Sequence, residues 1–341
     1  MDKIIKDSPS VSVLMPVYNG EQFLREAIDS ILGQTWKNFE FIIINDGSTD
    51  GSEEIILSYK DNRIVYLKNE INLGLIATLN KGLSIAKGKY IARMDADDVS
   101  LPERFAEQFK YMEIHTEVGV SSTYYHYIEN GSIKKSNFWY GSEEVNTLLL
   151  FNSCLCHPAV FIRRSLLEEN NIRYESDFRH AEDYRLWAVL SRVARFGIID
   201  KTLFYYRLHP SQVTTVHNEE QKANGNRVRK DFLNTMGFDA DENERYFHNL
   251  VGMNSRINNL SDLKGIESWF IKMAKINERK KIFGTESFNK VIGKLWLDTC
   301  GNTTLGMKSR SIYMSSELRQ LSAYVTTFMD NLKLIIKCLV R

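Results

Sequence analysis

Residues 90–98 decide the fold, and they read Tyr90-Ile91-Ala92-Arg93-Met94-Asp95-Ala96-Asp97-Asp98. The first half is mostly apolar and predicts a short buried strand, which ends in three carboxylates within four positions. Hard divalent cations such as Mg2+ and Mn2+ take oxygen ligands and stay partly hydrated, so one or two carboxylates and a substrate phosphate complete the shell. The stretch indicates a metal site at a strand end. An acidic turn that caps the next helix would explain an isolated Asp-x-Asp pair equally well.

The residues before this stretch alternate between apolar runs and amphipathic segments. The pattern predicts strands at 11–16, 39–44 and 63–67 and helices at 21–32 and 75–86. Such alternation favours a parallel sheet with helices on both faces, where ligands bind at the carboxyl ends of the strands. A polar turn at 45–50 follows the second strand, so it is expected at the same sheet edge as the aspartates.

Downstream of the aspartates, the pattern predicts three further elements. Ser100 and Glu103 have the spacing of a capping box, so a helix is expected to begin near Leu101. A strand is expected at 159–162, after a proline. Acidic residues at 182–183 open an amphipathic helix, where they complement the helix dipole or, in a reaction that needs a base, accept a proton.

Composition excludes some classes of protein. The 341 residues carry 44 basic and 43 acidic side chains, a formal charge of +1, so nucleic acid is not an expected partner. The four cysteines, Cys154, Cys156, Cys300 and Cys338, form no C-x-x-C pair, and no secretory signal precedes the first strand. No run of eighteen apolar residues occurs. We therefore expect a cytoplasmic protein, with peripheral contact to the inner face of the plasma membrane still open.

Aromatic residues crowd residues 124–140. Packing in a core or on a sheet accounts for such residues, and a platform on which sugars stack is the alternative use. The pattern alone does not choose between the two.

Five short motifs, in this order, resemble those of family-2 glycosyltransferases of the GT-A fold. They are Pro16-Val17-Tyr18-Asn19, Asn45-Asp46-Gly47-Ser48-Thr49-Asp50, Met94-Asp95-Ala96-Asp97-Asp98, Glu182-Asp183-Tyr184 and Tyr206-Arg207-Leu208-His209-Pro210. The resemblance covers Ser10 to Val213 and is greatest to bacterial enzymes of O-antigen, capsule or exopolysaccharide synthesis. It implies an α/β, Rossmann-like GT-A fold with a mixed, mainly parallel sheet flanked by helices and a helical C-terminal extension.

The resemblance also implies a donor site. The nucleotide base would lie against Pro16, Val17, Tyr18 and Asn19, with the Asp46 carboxylate accepting the imino proton of uracil. Asn45 stands where many relatives have another aspartate, and it is the alternative base contact. The other residues implied to bind the donor are Asn72, Gly74, Arg93, Asp95 and Ala96.

Metal and catalytic roles are carried over in the same way. Asp97 would ligate Mn2+ or Mg2+, Asp95 would hold the ribose or a metal-bound water, and His209 is a further candidate ligand. Asp183 is the implied catalytic base. Residues that would support the site or the acceptor are Glu182, His157 and Arg207.

The implied activity is inverting transfer of Gal, Glc, GlcNAc or GalNAc from a UDP-sugar to a hydroxyl of a glycan acceptor. Resemblance to polysaccharide-assembly enzymes implies that the acceptor is lipid-linked. Two alternatives are a nucleotide-sugar-binding module without catalysis and a sugar nucleotidyltransferase. The second is less favoured because residues 16–21 contain one glycine and no lysine, whereas nucleotidyltransferases use a glycine-rich basic loop.

The predicted domains follow from the same pattern. A catalytic domain is expected at 1–215, with a nucleotide-sugar half at 1–115 and an acceptor half at 116–215. A helical region at 216–341 follows. Its last segment, 321–341, has an apolar face beside lysines and an arginine, which suits a membrane-interface helix or a helix packed on the protein or on a second copy.

Overall fold

The computed structural model describes residues 8–210, 218–322 and 334–338. The chain divides into two compact units. The first consists of Met1–Gly141 and Leu155–Asn218, and the second of Ser142–Cys154 and Glu219–Arg341. The division of the chain near residue 215 that the sequence suggests stays a prediction.

Within the described ranges, one sheet of nine strands forms the centre of the first unit. The strands are β1 (Val11–Val17), β2 (Phe39–Asp46), β3 (Ile64–Asn69), β4 (Tyr90–Arg93), β5 (Val99–Ser100), β6 (Val118–Glu129), β7 (Ser132–Lys134), β8 (Phe161–Arg163) and β9 (Arg195–Leu208). Their order is β3-β2-β1-β4-β8-β6-β9-β5, with β7 paired to β6. The first four strands are mutually parallel, β6 and β9 are parallel, and β8 runs antiparallel to both β4 and β6.

Helices cover the parallel part of the sheet because their apolar residues recur at helical spacing. Leu24, Ala27, Ile28 and Ile31 of the first helix are buried in the same cluster as the side chains of β1 and β2. The helices of this unit are α1 (Glu21–Leu32), α2 (Ser52–Ser58), α3 (Leu75–Ile85), α4 (Arg104–Ile114), α6 (Arg164–Glu169) and α7 (Glu182–Leu190). The mixed α/β fold with a mainly parallel sheet is confirmed.

Two local predictions need correction. Ser100 belongs to strand β5, where it pairs with Phe204 and its hydroxyl accepts a hydrogen bond from Gln34, so it does not cap a helix and α4 begins at Arg104. The strand expected at 159–162 is shorter, β8, because a 3-10 turn at His157–Ala159 precedes it. At Ser100 tertiary pairing prevails over the local pattern, whereas at His157–Ala159 the local turn itself shortens the strand.

The second unit is helical. Its helices are α5 (Ser142–Leu148), α8 (Asn218–Thr235), α9 (Glu242–Gly252), α10 (Leu260–Lys280), α11 (Thr285–Gly301), α12 (Met307–Ser315) and α13 (Leu318–Ser322). The capping box between Asp241 and Glu244 starts α9. Most of the predicted helix at 321–341 lies outside the described residues. Across the described ranges, we find no helix with the length and apolarity needed to cross a bilayer.

Candidate functional site

Three carboxylates meet directly after β4. One oxygen from each of Asp95, Asp97 and Asp98 lies within 4.8 Å of the others. Strand β4 ends at Arg93, which is in register with Leu14 of β1, so the aspartates project from the carboxyl edge of the parallel strands. The three oxygens are a suitable donor set for a hard divalent cation.

Asp98 is the most buried member of this cluster, with 1% of its surface exposed. The backbone N–H of Arg207 donates to its Oδ1 over 2.8 Å, whereas its buried Oδ2 has no hydrogen-bond partner among the described residues. Burial, with the charges of Asp97 and Asp95, raises the pKa of Asp98 well above the usual range. An unpartnered buried carboxylate oxygen at this position fits a cation. Sequence reasoning gave Asp98 no role, although it is the third acidic residue of the motif.

Asp97 contacts the segment that follows β9. The Nε2 atom of His209 lies 2.8 Å from Oδ2 of Asp97. Arg207 donates from Nε to the Asp97 carbonyl over 2.7 Å, and its other end is ion-paired with Glu26 at 2.5 Å. The fold thus brings the motif at 206–210 against the aspartates, and the side chains of Arg207 and His209 hold the Asp97 loop.

Arg93 lies behind the cluster and is ion-paired with Asp95. The Arg93 side chain is buried, and that burial is tolerable because a carboxylate adjoins it. Burial still raises the pKa of Asp95, although Arg93 opposes the shift. Arg93 therefore supplies one fixed positive charge beside the carboxylates.

A second buried arginine, Arg104, fixes the end of β4. Its Nη2 donates to the carbonyl oxygens of Arg93 (3.0 Å) and Val160 (3.2 Å), and its Nε donates to Gln108 (2.9 Å). Burial lowers the pKa of Arg104 to about 9. Sequence reasoning missed this residue, because nothing in the local pattern shows that the first turn of α4 lies beneath the strand end.

Asp183 and Glu182 open helix α7, as predicted. The Asp183 carboxylate is half-buried and accepts from the backbone N–H of Tyr184 at 2.6 Å. Its charge contributes to the raised pKa of Asp95, which puts the two carboxylates within electrostatic range. Burial and the neighbouring Asp183 raise the pKa of Glu182 to about 7. The partly exposed carboxylate of Asp183 is thus close enough to influence Asp95, but it is not a member of the cluster of Asp95, Asp97 and Asp98.

His157 is held by a tyrosine of the same neighbourhood. Its Nε2 lies 2.8 Å from the hydroxyl of Tyr174. Burial, with the charge of Arg93, lowers the pKa of His157 well below its ordinary value, so the ring is neutral. This is a contact next to the cluster and gives no sign of metal ligation.

Two loops at the sheet edge are connected by hydrogen bonds. The N–H of Asn19 donates to Ser48 Oγ (3.0 Å), and the Asn19 side chain accepts from the N–H of Thr49 (2.8 Å). Asn19 has a φ of 48°, a left-handed conformation that asparagine tolerates. Tyr18 is 52% exposed, and a Cβ at Gly20 would lie 3.4 Å from the Cβ of Ala96, so the 16–19 loop adjoins the aspartate loop.

Asp46 is bound on all sides by its own chain. Its Oδ1 accepts from Asn69 Nδ2 (2.7 Å) and the N–H of Leu73 (2.9 Å), and its Oδ2 accepts from the N–H of Gly74 (2.9 Å). Asn72 Oδ1 accepts from the same N–H (2.8 Å), and Gly74 has a φ of 86°, which favours glycine. The Asp46 carboxylate therefore fixes the 69–74 segment. Sequence reasoning did not detect this, because the donors lie on the next strand and loop.

Asn45, the alternative base contact, is also buried. Its Oδ1 accepts from the N–H of Ser48 over 2.9 Å, which shapes the turn after β2. The structure therefore places both candidates at the same edge.

Comparisons with known proteins show which proteins the chain resembles. The family model described as glycosyl transferase family 2 matches residues 12–170. An uncharacterized glycosyltransferase of Haemophilus influenzae is 34% identical over 253 residues, which cover 69% of this chain and 78% of that protein.

Two solved structures share the fold. S. aureus TarS, in complex with UDP-GlcNAc, superposes with a TM-score of 0.58 at 18% identity and covers 92% of this chain and 90% of that one. The mannosyltransferase PcManGT of Pyrobaculum calidifontis, in complex with GDP-Man and Mn2+, has a TM-score of 0.53 at 13% identity and covers 98% of this chain and 88% of that one.

Proposed function

Because the chain belongs to glycosyltransferase family 2, we propose that it is a metal-dependent, inverting enzyme that transfers a sugar from a UDP-sugar to a hydroxyl group of a glycan. The observation that carries the proposal is the cluster of Asp95, Asp97 and Asp98, with Asp183 in electrostatic range of it. Galactose, glucose and their N-acetylated forms are the sugars proposed. The acceptor proposed is a lipid-linked glycan of bacterial surface polysaccharide synthesis.

The metal proposed is Mn2+ or Mg2+, held by Asp97 with Asp95 and Asp98. Bound there, the cation would neutralise negative charge on the departing diphosphate. Support comes from the buried Oδ2 of Asp98, which has no hydrogen-bond partner in the described part of the chain. The PcManGT complex contains Mn2+, but at 13% identity that likeness shows the fold alone.

The donor is proposed to lie between the two connected loops. Pro16, Val17, Tyr18 and Asn19 would bound the base, and Asn45 or Asp46 would accept its imino proton. Asp46 already accepts three hydrogen bonds, so its main task is to hold Asn69, Leu73 and Gly74 in place. TarS was solved with UDP-GlcNAc, which makes a uridine donor the first to test.

Asp183 is proposed as the general base. Its carboxylate would take the proton of the acceptor hydroxyl while that oxygen bonds to the anomeric carbon. The bond to the diphosphate oxygen breaks at the same time, and the leaving nucleoside diphosphate takes the electron pair. One in-line displacement inverts the anomeric centre, so an α-linked UDP-sugar would give a β linkage. Glu182, whose pKa burial and the neighbouring Asp183 raise to about 7, would support the site rather than act as the base.

Contact with a membrane is proposed through the basic, apolar segment at 321–341, most of which lies outside the described residues. Loss of binding to anionic vesicles on deletion of this segment would support the contact.

The decisive experiment is donor turnover across uridine, guanosine and thymidine diphosphate sugars with Mn2+ or Mg2+. Release of the nucleoside diphosphate is measured with and without chelator. Chelator-sensitive release from one uridine donor would support the proposal and identify the sugar. Release that chelator leaves unchanged would contradict the metal role.

A further inference from the structure

Four aromatic side chains of the first unit form a connected surface, here called the aromatic shelf. Tyr206 lies on β9, Tyr125 and Tyr127 lie on the paired strand β6, and Phe138 lies in the segment after β7. The ring centroid of Tyr206 lies 6.2 Å from that of Tyr125 and 6.2 Å from that of Tyr127. Tyr125 continues to Tyr127 at 5.4 Å and to Phe138 at 5.0 Å. The rings thus make an unbroken path along the sheet.

One end of the aromatic shelf adjoins the carboxylate cluster. Tyr206 directly precedes Arg207, whose N–H donates to Asp98. Burial, with the charges of Asp95 and Asp98, raises the pKa of the Tyr206 hydroxyl. The Tyr206 end of the shelf therefore lies near the aspartates.

Core packing explains only the inner part of the shelf. Tyr125 and Tyr206 pack against the hydrophobic core, whereas Tyr127 and Phe138 are absent from that packed layer. The rings of Tyr127 and Phe138 are half-buried, so part of each remains exposed to solvent. The ring of Phe138 stacks on that of Tyr124, with 4.4 Å between the ring centroids and 5° between the ring planes. This contact holds the Phe138 ring in a fixed orientation. Rigid aromatic rings that remain partly exposed are typical of a binding surface.

The chemistry of the shelf selects its ligand. Its members have aromatic faces and tyrosine hydroxyls and carry no positive charge, and the aspartates at its inner end repel anions. A pyranose ring has an apolar face of C–H groups and a rim of hydroxyls. It can lie on the rings and donate to or accept from the hydroxyls of Tyr125 and Tyr127, which are 3.4 Å apart.

We propose that the aromatic shelf is the acceptor subsite, which binds a neutral hexopyranose of the glycan by stacking on Tyr127 and Phe138. This inference rests on the proposed glycosyl transfer, because it identifies where the second substrate of that reaction lies. The bound ring extends toward the carboxylate cluster, where its free hydroxyl meets the donor.

Saturation-transfer NMR tests the shelf without any donor. The probes are methyl β-lactoside, methyl β-cellobioside and N,N'-diacetylchitobiose, and the aromatic protons of the protein are irradiated. We expect transfer to the C–H protons of at least one probe in the unmodified protein, and at least a five-fold loss in Tyr127→Ala and Phe138→Ala. Tyr127→Phe keeps the ring and should keep most of the transfer.

Tyr246→Ala is the matched control, because Tyr246 is an exposed tyrosine of the second unit. Phe138→Leu, which keeps apolar volume, replaces Phe138→Ala if that variant does not fold. Absence of transfer to every probe, or equal transfer in all variants, overturns the acceptor subsite.

The same variants separate this inference from the proposed function. If no donor turns over but the probes still bind to the shelf, the transferase proposal fails and a glycan-binding surface remains. If donor turnover occurs and the shelf variants leave the KM for a glycan acceptor unchanged, the subsite fails and the transferase proposal stands.

Discussion

The imidazole Nε2 of His209 lies 2.8 Å from the carboxylate Oδ2 of Asp97, although the two residues are 112 positions apart in the chain. The contact joins the end of β9 to the acidic loop after β4. It admits two roles for His209, which are a direct ligand to the metal and a partner that orients Asp97. In either role His209 would contribute to the proposed metal site.

His209→Ala should lower the affinity for Mn2+ by about ten-fold or more, because loss of a ligand or of an orienting partner typically costs 10–100-fold. Asp97→Ala should abolish metal-dependent binding of UDP-sugar altogether. Both are measured by calorimetric titration with Mn2+ and with donor. His115→Ala is the control, since the half-exposed His115 ring lies 3.6 Å from Glu117 and belongs to none of the motifs of the candidate site. Unchanged Mn2+ affinity in His209→Ala would remove both roles.

Asp183→Asn should reduce transfer by at least 1,000-fold, on the order expected for loss of a general base, and leave donor affinity within a few-fold. The amide keeps the size of the side chain but cannot accept the proton. Transfer is measured with donor and acceptor, and donor binding by titration. Asp239→Asn, an exposed aspartate of the second unit, should change neither. Substantial residual transfer, or collapse of donor binding, would exclude Asp183 as the base.

Asp46→Ala should destabilise the first unit by about 2–4 kcal/mol, because three hydrogen bonds to a buried carboxylate are lost and their donors remain. The free energy of unfolding is measured by urea titration. Asp50→Ala serves for comparison, since its carboxylate holds fewer donors and lies nearer the surface. If Asp46→Ala lowers the free energy of unfolding by less than Asp50→Ala does, Asp46 does not hold the 69–74 segment.

The stability of the second unit should fall with acid through His248. This ring is fully buried between the Leu150 carbonyl (2.8 Å) and the indole N–H of Trp269 (3.2 Å), and burial lowers its pKa to about 3. An unfolded histidine has a pKa of about 6.5. The unfolded state therefore binds the proton more readily, so stability is intact above about pH 6.5 and decreases as pH falls toward 3.

The expected loss approaches about 1.4 kcal/mol for each pH unit below 6.5. Urea unfolding from pH 7 to pH 4.5 measures it. Other groups titrate in the same range, so the relevant quantity is the difference from His248→Gln, which lacks this proton site. Parallel pH profiles for the two proteins would contradict the assignment.

Much of the sheet could be predicted from the sequence, because its signals are local. Residues 21–32 were predicted as a helix and form α1, and the acidic stretch after Arg93 was correctly placed at a strand end. Apolar residues at fixed spacing select helix or strand within a single segment. The same locality explains why the helix expected near Leu101 was misplaced, since Ser100 pairs with a strand more than a hundred residues away.

The sequence by itself determined the fold class and the positions of the acidic and polar motifs, because periodicity and residue type act over a few neighbouring residues. The tertiary structure alone decided what each group contacts. It left Asp98 buried with one oxygen that has no partner among the described residues, used both oxygens of Asp46 to hold a loop, and set Arg104 beneath the strand end. Burial and hydrogen-bond partners depend on which distant segments pack together, and no local pattern records that.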